Sequence, residues 1–169
     1  WNGGMSFHGG LIGVIIASLL FSKKHNMNQF IFLDLVSLTA PIGIFFGRIA
    51  NFINSELYGR PTDVPWSVKF IIIDNIKRHP SQLYEAIFEG IILFLLLGHF
   101  NKKGYLKNPG QISGLFLIFY SSFRFMVEFF RSPDPQLGYI FLNLTLGQVL
   151  SIIFLILGGI LFFFKKNEK

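Results

Sequence analysis

Apolar residues are gathered into five long runs that are separated by short polar segments. The runs cover residues 5–22, 30–46, 86–100, 112–130 and 144–164. A helix that crosses a bilayer needs about 20 predominantly apolar residues, with a range of about 17 to 25. The third run is the shortest, but residues 82–85 precede it directly and can extend it into the interface. The pattern therefore predicts about five membrane-spanning helices.

Composition supports this interpretation and excludes a soluble globule. Of 169 residues, 51% are hydrophobic, 22 are phenylalanine and 14% are charged, and the mean hydropathy is +0.53. A soluble domain of this size needs more polar surface. We expect an all-α, polytopic helical bundle that forms one membrane domain over residues 1–169. Residues 57–80 should form a small external head segment, because Pro61 and Pro65 break helices and residues 66–73 favour a short strand or interfacial flap.

The distribution of lysine predicts the orientation. The formal net charge is +6, and short lysine-rich segments follow the first, third and fifth runs. Their members are Lys23, Lys24, Lys102, Lys103, Lys107, Lys165, Lys166 and Lys169. Short basic loops stay in the cytoplasm, so these segments and the C-terminus should be cytoplasmic. Residues 48–85 and 131–139 should then be external. The sequence has no basic run with interleaved aromatic residues, so nothing in it indicates a nucleic-acid partner.

Two further features limit the chemistry. The chain has no cysteine, which excludes a thiol nucleophile in the protein itself. No histidine or acidic residues have the spacing of metal ligands, so we predict neither a metal site nor a cofactor.

The chain begins at Trp1, and no basic segment of a signal peptide precedes the first run. We expect it to be a fragment that lacks its beginning.

Ionisable residues within apolar runs mark candidate sites, because each costs about 2.5 to 3.5 kcal/mol to insert. His8 is one of them and lies in the segment MSFHGGLIG near the outer end of the first run. Gly9 and Gly13 form a small-xxx-small pair that lets another helix approach closely. His8 could be a hydrogen-bonded packing residue, or a general base with a pKa of about 6.5 that suits proton transfer. The spacing leaves both interpretations open.

The segment GRIANFINSELYG places polar residues where the second apolar run ends. If the helix continues, Arg48, Asn51 and Ser55 share one face, with Asn54 and Glu56 to either side. A guanidinium donates paired hydrogen bonds to phosphoryl oxygens, and carboxamides supply neutral donors. We predict that Glu56 holds Arg48 in its rotamer. The segment is either a phosphate-binding site or a polar helix end with an Arg/Glu pair.

The segment FYSSFRFMVEFFRSPD places Tyr120, Arg124, Glu128 and Arg131 on one stripe of an apolar helix. Such a stripe cannot face lipid, so it should face a cavity or a polar helix. Arg124 and Glu128 form an i, i+4 pair that limits the cost of desolvation. The stripe is a structural salt bridge or part of a site.

A fourth polar segment, RHPSQLYEAIFEG, is interpreted as structural. Arg78, His79 and Glu85 are expected to lie in water or among head groups, Ser81 is predicted to be the N-cap of the third span, and Glu89 lies deeper. Asp34, in the second run, is predicted to be a structural hydrogen-bond partner.

Four segments, in the same order, resemble blocks of the prolipoprotein diacylglyceryl transferases and together reach from residue 5 to residue 134. The segment GRIANFINSELYG matches the signature of that family at Gly47, Arg48, Asn51, Phe52, Asn54, Glu56 and Gly59. The resemblance implies further helices before the HGG block. It also implies transfer of a diacylglyceryl group from phosphatidylglycerol to the lipobox cysteine thiol of a bacterial prolipoprotein. The products would be a thioether and glycerol phosphate, in the first step of lipoprotein maturation at the bacterial inner membrane.

The resemblance implies functional roles for Arg48, Asn51, Glu56, Arg124 and His8. We take His8, Arg48, Arg124 and Glu128 as candidate catalytic residues, with His8 as the first candidate for the base and Glu128 as the second. The candidate residues for binding phosphatidylglycerol are Arg48, Asn51, Asn54, Glu56, Gly59, Tyr120, Arg124 and Arg131.

Two alternatives remain open from the residues alone. A transporter or channel predicts polar residues that continue to the cytoplasmic helix ends, whereas residues 112–119 and 152–164 are almost wholly apolar. A non-catalytic scaffold predicts that buried charges pair one to one. Three candidate arginines, at positions 48, 124 and 131, face only Glu56 and Glu128, which predicts an excess cation that suits an anionic ligand.

Overall fold

Helices make up most of the structure, a computed structural model that describes residues 7–133, 139–141 and 144–166. Within these residues the α-helices are α1 (Phe7–Lys24), α2 (Gln29–Ile53), α3 (Ser81–Glu85), α4 (Leu93–Lys102), α5 (Gln111–Val127) and α6 (Leu146–Lys166). A π-helical segment, Ala86–Ile92, joins α3 to α4, so that Ser81–Lys102 is one continuous helix. A short 3₁₀ helix, Tyr105–Lys107, follows α4. The predicted all-α class is confirmed.

Three helical stretches of the described chain are long and apolar enough to cross a membrane: Gln29–Ile53, Ser81–Lys102 and Leu146–Phe163. They correspond to the second, third and fifth predicted spans. Helix α5, in the fourth, has 17 residues and ends at Val127 rather than at position 130. At a rise of about 1.5 Å per residue it is roughly 26 Å long, close to the thickness of the hydrocarbon core. Helix α1, in the first, has 18 residues.

Helix α2 continues into the polar signature segment as far as Ile53. It begins after Asn28, whose side chain accepts a hydrogen bond from the backbone N–H of Phe30 (2.9 Å). It ends at Ile53, and Asn54 is its C-cap. Ser55 follows with a φ of 58°, in the left-handed region. The prediction that Ser55 extends the Arg48 face of the helix is therefore wrong, because the helix has ended before it.

Helices α5 and α6 pack closely because two glycines remove side chains from their interface. A Cβ at Gly114 would lie 2.8 Å from the backbone nitrogen of Phe162, and one at Gly158 would lie 2.8 Å from the Cβ of Leu117. The π-helical segment approaches α2 in the same way, since a Cβ at Gly90 would lie 2.7 Å from the Cβ of Phe45. These contacts fix the helices that carry the polar stripe.

Asp34 connects α2 to the start of α5. Its carboxylate is fully buried and accepts hydrogen bonds from the backbone N–H groups of Gly110 and Ser113, both at 2.7 Å. The Ser113 hydroxyl donates to the same carboxylate. Asp34, in α2, thus caps the N-terminus of α5, and the helix dipole favours a negative charge at that end of a helix. Its predicted structural role is confirmed.

The predicted strand of the head segment, residues 57–80, is present but short. Strand β1 (Val68–Lys69) pairs antiparallel with β2 (Lys77–Arg78) in the register Val68↔Arg78. A second pair, β3 (Tyr139–Phe141) and β4 (Leu144–Thr145), precedes α6.

The return from the head segment to the third span corrects one prediction. The N-cap position of α3 is occupied by Pro80, and the Ser81 hydroxyl donates to the backbone oxygen of Leu57 (3.1 Å). Ser81 therefore ties the helix start to the signature segment and does not cap the helix. Gln82 makes a parallel link, since its Nε2 donates to the backbone oxygen of Glu56.

Candidate active site

Glu85, in α3, lies at the centre of a buried cluster of charged side chains. Its Oε2 is 2.7 Å from Nε of Arg48, which comes from α2. Its Oε1 accepts hydrogen bonds from Nη1 of Arg124 (2.8 Å) and Nη1 of Arg131 (3.2 Å). The carboxylate is fully buried. One glutamate thus brings together three arginines that come from separate parts of the chain.

Glu89 adds a second fully buried carboxylate one turn further along the same helix. Nη2 of Arg48 lies 3.4 Å from Glu89 Oε2, and Nη1 of Arg124 lies 3.9 Å from Glu89 Oε1. Glu89 belongs to the π-helical segment. π-Helical segments are rare in proteins, and those that occur are often found at functional sites. Arg48 and Arg124 are therefore each held by the same two carboxylates.

Glu128, the C-cap residue of α5, completes the cluster. Its Oε2 lies 2.8 Å from Nη2 of Arg124, and its Oε1 accepts a hydrogen bond from the Thr145 hydroxyl (3.0 Å). Gly147 in α6 makes room for it, because a Cβ there would lie 2.9 Å from the carboxylate carbon. The predicted pairing of Arg124 with Glu128 is confirmed, and the start of α6 holds the pair in place.

Two predictions about charge are wrong. Glu85 does not lie in water or among head groups, because α3 packs against the signature segment and buries it. The predicted excess of one cation also disappears. Among the described residues, Arg48, Arg124 and Arg131 are balanced by Glu85, Glu89 and Glu128, so this set of six side chains is formally neutral. The i, i+4 spacing of Glu85 and Glu89 was the signal that could have identified them.

The arginines keep hydrogen-bonding capacity despite these pairs. A guanidinium has five N–H donors on three nitrogens. Arg48 uses Nε and Nη2, and Arg124 uses Nη1 and Nη2. Arg48 Nη1 and Arg124 Nε have no acceptor among the described residues. The two side chains retain 18% and 14% of their exposure, whereas Glu85 and Glu89 retain none. The accessible part of the cluster is therefore cationic.

The signature residues lie beside this cluster. Nδ2 of Asn51 donates to Glu56 Oε2 (3.0 Å), and no contact between Glu56 and Arg48 is found in the described chain. The prediction that Glu56 holds Arg48 is therefore wrong, because Glu85 takes that position. Asn54 is exposed beyond the end of α2.

Gly59 has a clear structural reason to be glycine. Its N–H donates to the backbone oxygen of His79 (3.0 Å), and its backbone forms a bridge with Arg131. A Cβ would collide with the His79 oxygen and lie 2.8 Å from that of Phe130. Gly59 therefore joins the segments on either side of the cluster. The backbone oxygen of Arg131 also accepts a hydrogen bond from Nε of Arg60 (2.8 Å).

Tyr120 and His8 are the other two residues that the sequence predicted for the site. Tyr120 is partly buried one turn before Arg124 and stacks on Phe116 with ring centroids 5.6 Å apart. His8 belongs to α1, but its side chain lies outside the described part of the structure.

Long apolar helices and a buried cluster of arginines and glutamates at one end of them define an integral membrane protein with a polar intramembrane site. The sequence model of the family described as "Prolipoprotein diacylglyceryl transferase" matches residues 1–164. The chain belongs to this family.

Curated relatives agree with this assignment. A protein of Rickettsia bellii is 55% identical over 159 residues, which cover 94% of this chain and 60% of the relative. Proteins of Rhodospirillum rubrum and Wolbachia pipientis are 51% and 49% identical over the whole of this chain. The matched regions make up 62% and 65% of the length of these two relatives. All three are named phosphatidylglycerol–prolipoprotein diacylglyceryl transferase. The chain therefore spans less than two thirds of their length.

Proposed function

We propose that the complete protein transfers the diacylglyceryl group of phosphatidylglycerol to the lipobox cysteine of a bacterial prolipoprotein. The observation that carries the proposal is the meeting of Arg48 and Arg124 at Glu85, with donors of both guanidiniums left over. The names of the relatives support both substrates. They do not support a transporter.

In this reaction the cysteine sulfur attacks the glycerol carbon that carries the phosphate ester. A carbon–sulfur bond forms, the carbon–oxygen bond to phosphate breaks, and the thiol proton goes to a base. Glycerol phosphate leaves as a phosphate monoester, which carries one more negative charge than the diester from which it came. Stabilising that developing charge is the main task of the site.

Arg48 and Arg124 are suited to this task. Arg48 is oriented by two carboxylates and Arg124 by three, and each has an unused N–H nitrogen that can donate to a phosphoryl oxygen. Because the three arginines and three glutamates that the structure describes here balance in charge, the carboxylates hold the guanidiniums in place without adding a large net charge to the membrane. The remaining candidate residues are proposed to shape the lipid site around Arg48 and Arg124. They are Asn51, Asn54, Glu56, Gly59, Tyr120 and Arg131.

His8 is proposed as the base that accepts the thiol proton. The other candidate, Glu128, is already engaged by Arg124 and by the Thr145 hydroxyl. Its contacts suit a residue that positions Arg124 better than one that accepts a proton.

The proposed location is the bacterial inner membrane, with the site toward the outer leaflet and the C-terminus in the cytoplasm. The lysine-rich loop between α4 and α5 supports this orientation. Single cysteines at Asn101 and Gln136 can be probed in intact cells with an impermeant thiol reagent. We expect labelling at position 136 only. Labelling at position 101 without labelling at position 136 would contradict this orientation and indicate the opposite one.

The role of the arginines is tested with the complete enzyme. Arg124→Lys keeps the charge but loses the planar fork, so transfer to a lipobox peptide should fall severely while the thermal stability is nearly kept. The double change Arg124→Leu with Glu128→Leu removes one charge of each sign and leaves Arg48 and Arg131 to balance Glu85 and Glu89. Near-normal transfer by this double variant would refute phosphate binding by Arg124. The same comparison of lysine with arginine applies to Arg48.

A further inference from the structure

The turn between β1 and β2 exposes a group of isoleucines, Ile71, Ile72, Ile73 and Ile76, which we call the isoleucine tip. Ile71 is 84% exposed and Ile72 is 83% exposed. Ile73 and Ile76 are also exposed, at 43% and 48%. Single exposed apolar residues are ordinary, but a contiguous group usually marks a contact with a partner or with lipid. Nothing in the described chain covers this group.

The isoleucine tip is held in a fixed position against the end of α2. Phe70, directly before it, is buried and packs on Phe52 and Tyr58, with ring centroids 5.9 and 6.0 Å apart. Phe52 belongs to the last turn of α2. The turn itself is closed by Asp74, whose Oδ1 accepts a hydrogen bond from the Ile76 N–H (3.1 Å).

Arg78 strengthens this closure through an ion pair with Asp74. The hydrogen bond from the Arg78 guanidinium lowers the pKa of Asp74 below its ordinary value, which favours the ionised carboxylate that closes the turn. The isoleucines are thus presented by a structured turn, and their exposure is not the result of an open loop.

The residues around the tip are those that favour a membrane interface. Lys69 and Lys77 are direct partners across the two strands, and both are exposed. Trp66 is 61% exposed, and its indole N–H donates to the Tyr84 hydroxyl (2.6 Å). Lysine, tryptophan and tyrosine at the boundary between lipid and water are the usual anchors of membrane proteins. An identical copy would bring like charges together, which disfavours a dimer through this surface.

We propose that the isoleucine tip inserts into the lipid surface beside the end of α2, with Lys69 and Lys77 against anionic head groups. The head segment leaves α2 and returns to α3, and both belong to helices of membrane-spanning length. Its turn is therefore close to the boundary between lipid and water. The inserted tip holds the head segment at that boundary. This inference does not depend on the proposed reaction.

The absence of cysteine from the chain makes a direct test simple. The purified chain with Ile72→Cys carries a nitroxide and is reconstituted into vesicles of phosphatidylethanolamine and phosphatidylglycerol. Collisions of the nitroxide with oxygen, which concentrates in lipid, are compared with collisions with a water-soluble nickel chelate. The matched control is Asp63→Cys, at an exposed polar position of the same head segment. We expect a several-fold higher oxygen-to-nickel ratio at position 72.

Equal ratios at positions 72 and 63 would overturn the proposal. Protection of position 72 from both reagents would overturn it too, because it would show that a protein surface covers the tip. A second arm changes Lys69→Gln and Lys77→Gln together in the Ile72→Cys chain. We expect the ratio at position 72 to fall in vesicles with phosphatidylglycerol and to change little in vesicles of phosphatidylcholine alone. An unchanged ratio in both would contradict the role of the lysines.

Discussion

Arg48 Nε lies 2.7 Å from Glu85 Oε2, and this pair joins the end of α2 to the start of the third membrane-spanning helix. The carboxylate is fully buried. Desolvation of such a pair is costly, and removing one partner leaves an uncompensated charge. Because Glu85 also contacts Arg124 and Arg131, its loss affects all three guanidiniums at once.

We therefore expect Glu85→Gln to destabilise the protein by about 3 to 5 kcal/mol and to abolish diacylglyceryl transfer. Glu56→Gln is the matched control for stability, since Glu56 is exposed and its side chain contacts only Asn51 within the described chain. It should cost less than about 1 kcal/mol. Thermal unfolding in detergent measures both. Equal stability of the two variants would show that Glu85 does not hold the cluster together.

The glycines of the α5–α6 interface give a prediction about packing. Gly158→Ala places a methyl group 2.8 Å from the Cβ of Leu117 and 2.9 Å from the backbone oxygen of Gly114. Overpacking of this kind costs about 1 to 3 kcal/mol. Gly159→Ala is the control, because a Cβ there meets nothing within 4 Å, and it should cause no loss of stability. Similar unfolding temperatures for both variants would mean that the helices can separate without cost.

The head segment should lose stability in mild acid because of His79. Burial lowers the pKa of His79 below its ordinary value of about 6.5. The unfolded chain then binds a proton before the folded chain does. The contribution of His79 is fully present above pH of about 6.5 and is lost as the pH falls through the lowered pKa.

The readout is Trp66, whose indole reaches His79 through the Tyr84 hydroxyl, 3.1 Å from His79 Nδ1. Trp1→Phe removes the other tryptophan. In this background, thermal unfolding is followed by fluorescence between pH 7 and 5 and compared with His79→Phe, which keeps the ring packing against Phe130. We expect the difference between the two proteins to change with pH. A constant difference would assign the acid sensitivity to other groups.

His8→Gln tests the proposed base. Glutamine keeps a hydrogen-bonding side chain but cannot accept the thiol proton, so turnover by the complete enzyme should fall by about 10² to 10⁴. Activity is measured by transfer of labelled diacylglyceryl to a lipobox peptide. Unchanged turnover from pH 6 to 9 would make His8 a packing residue of the glycine-rich helix α1.

The sequence alone determined the features that depend on neighbours along the chain. Apolar runs of sufficient length form helices in a membrane because every backbone N–H and C=O must be paired within the segment. The pairing of Arg124 with Glu128 follows from the local periodicity of a helix. The structural role of Asp34 could also be predicted, because a carboxylate in an apolar run needs donors. The four signature blocks identified the family.

Tertiary structure decided the partners of the charged residues. The periodicity of a helix shows which residues share a face, but it does not show which other helix covers that face. Glu85 follows a polar loop and therefore looked exposed, yet Ser81 and Gln82 bind the signature segment and bury it. Among the described residues, the balance of three arginines against three glutamates then depends on the contacts of Glu85 and Glu89 with arginines distant in sequence. Burial and ion pairing at such distances are properties of packing, which no local pattern records.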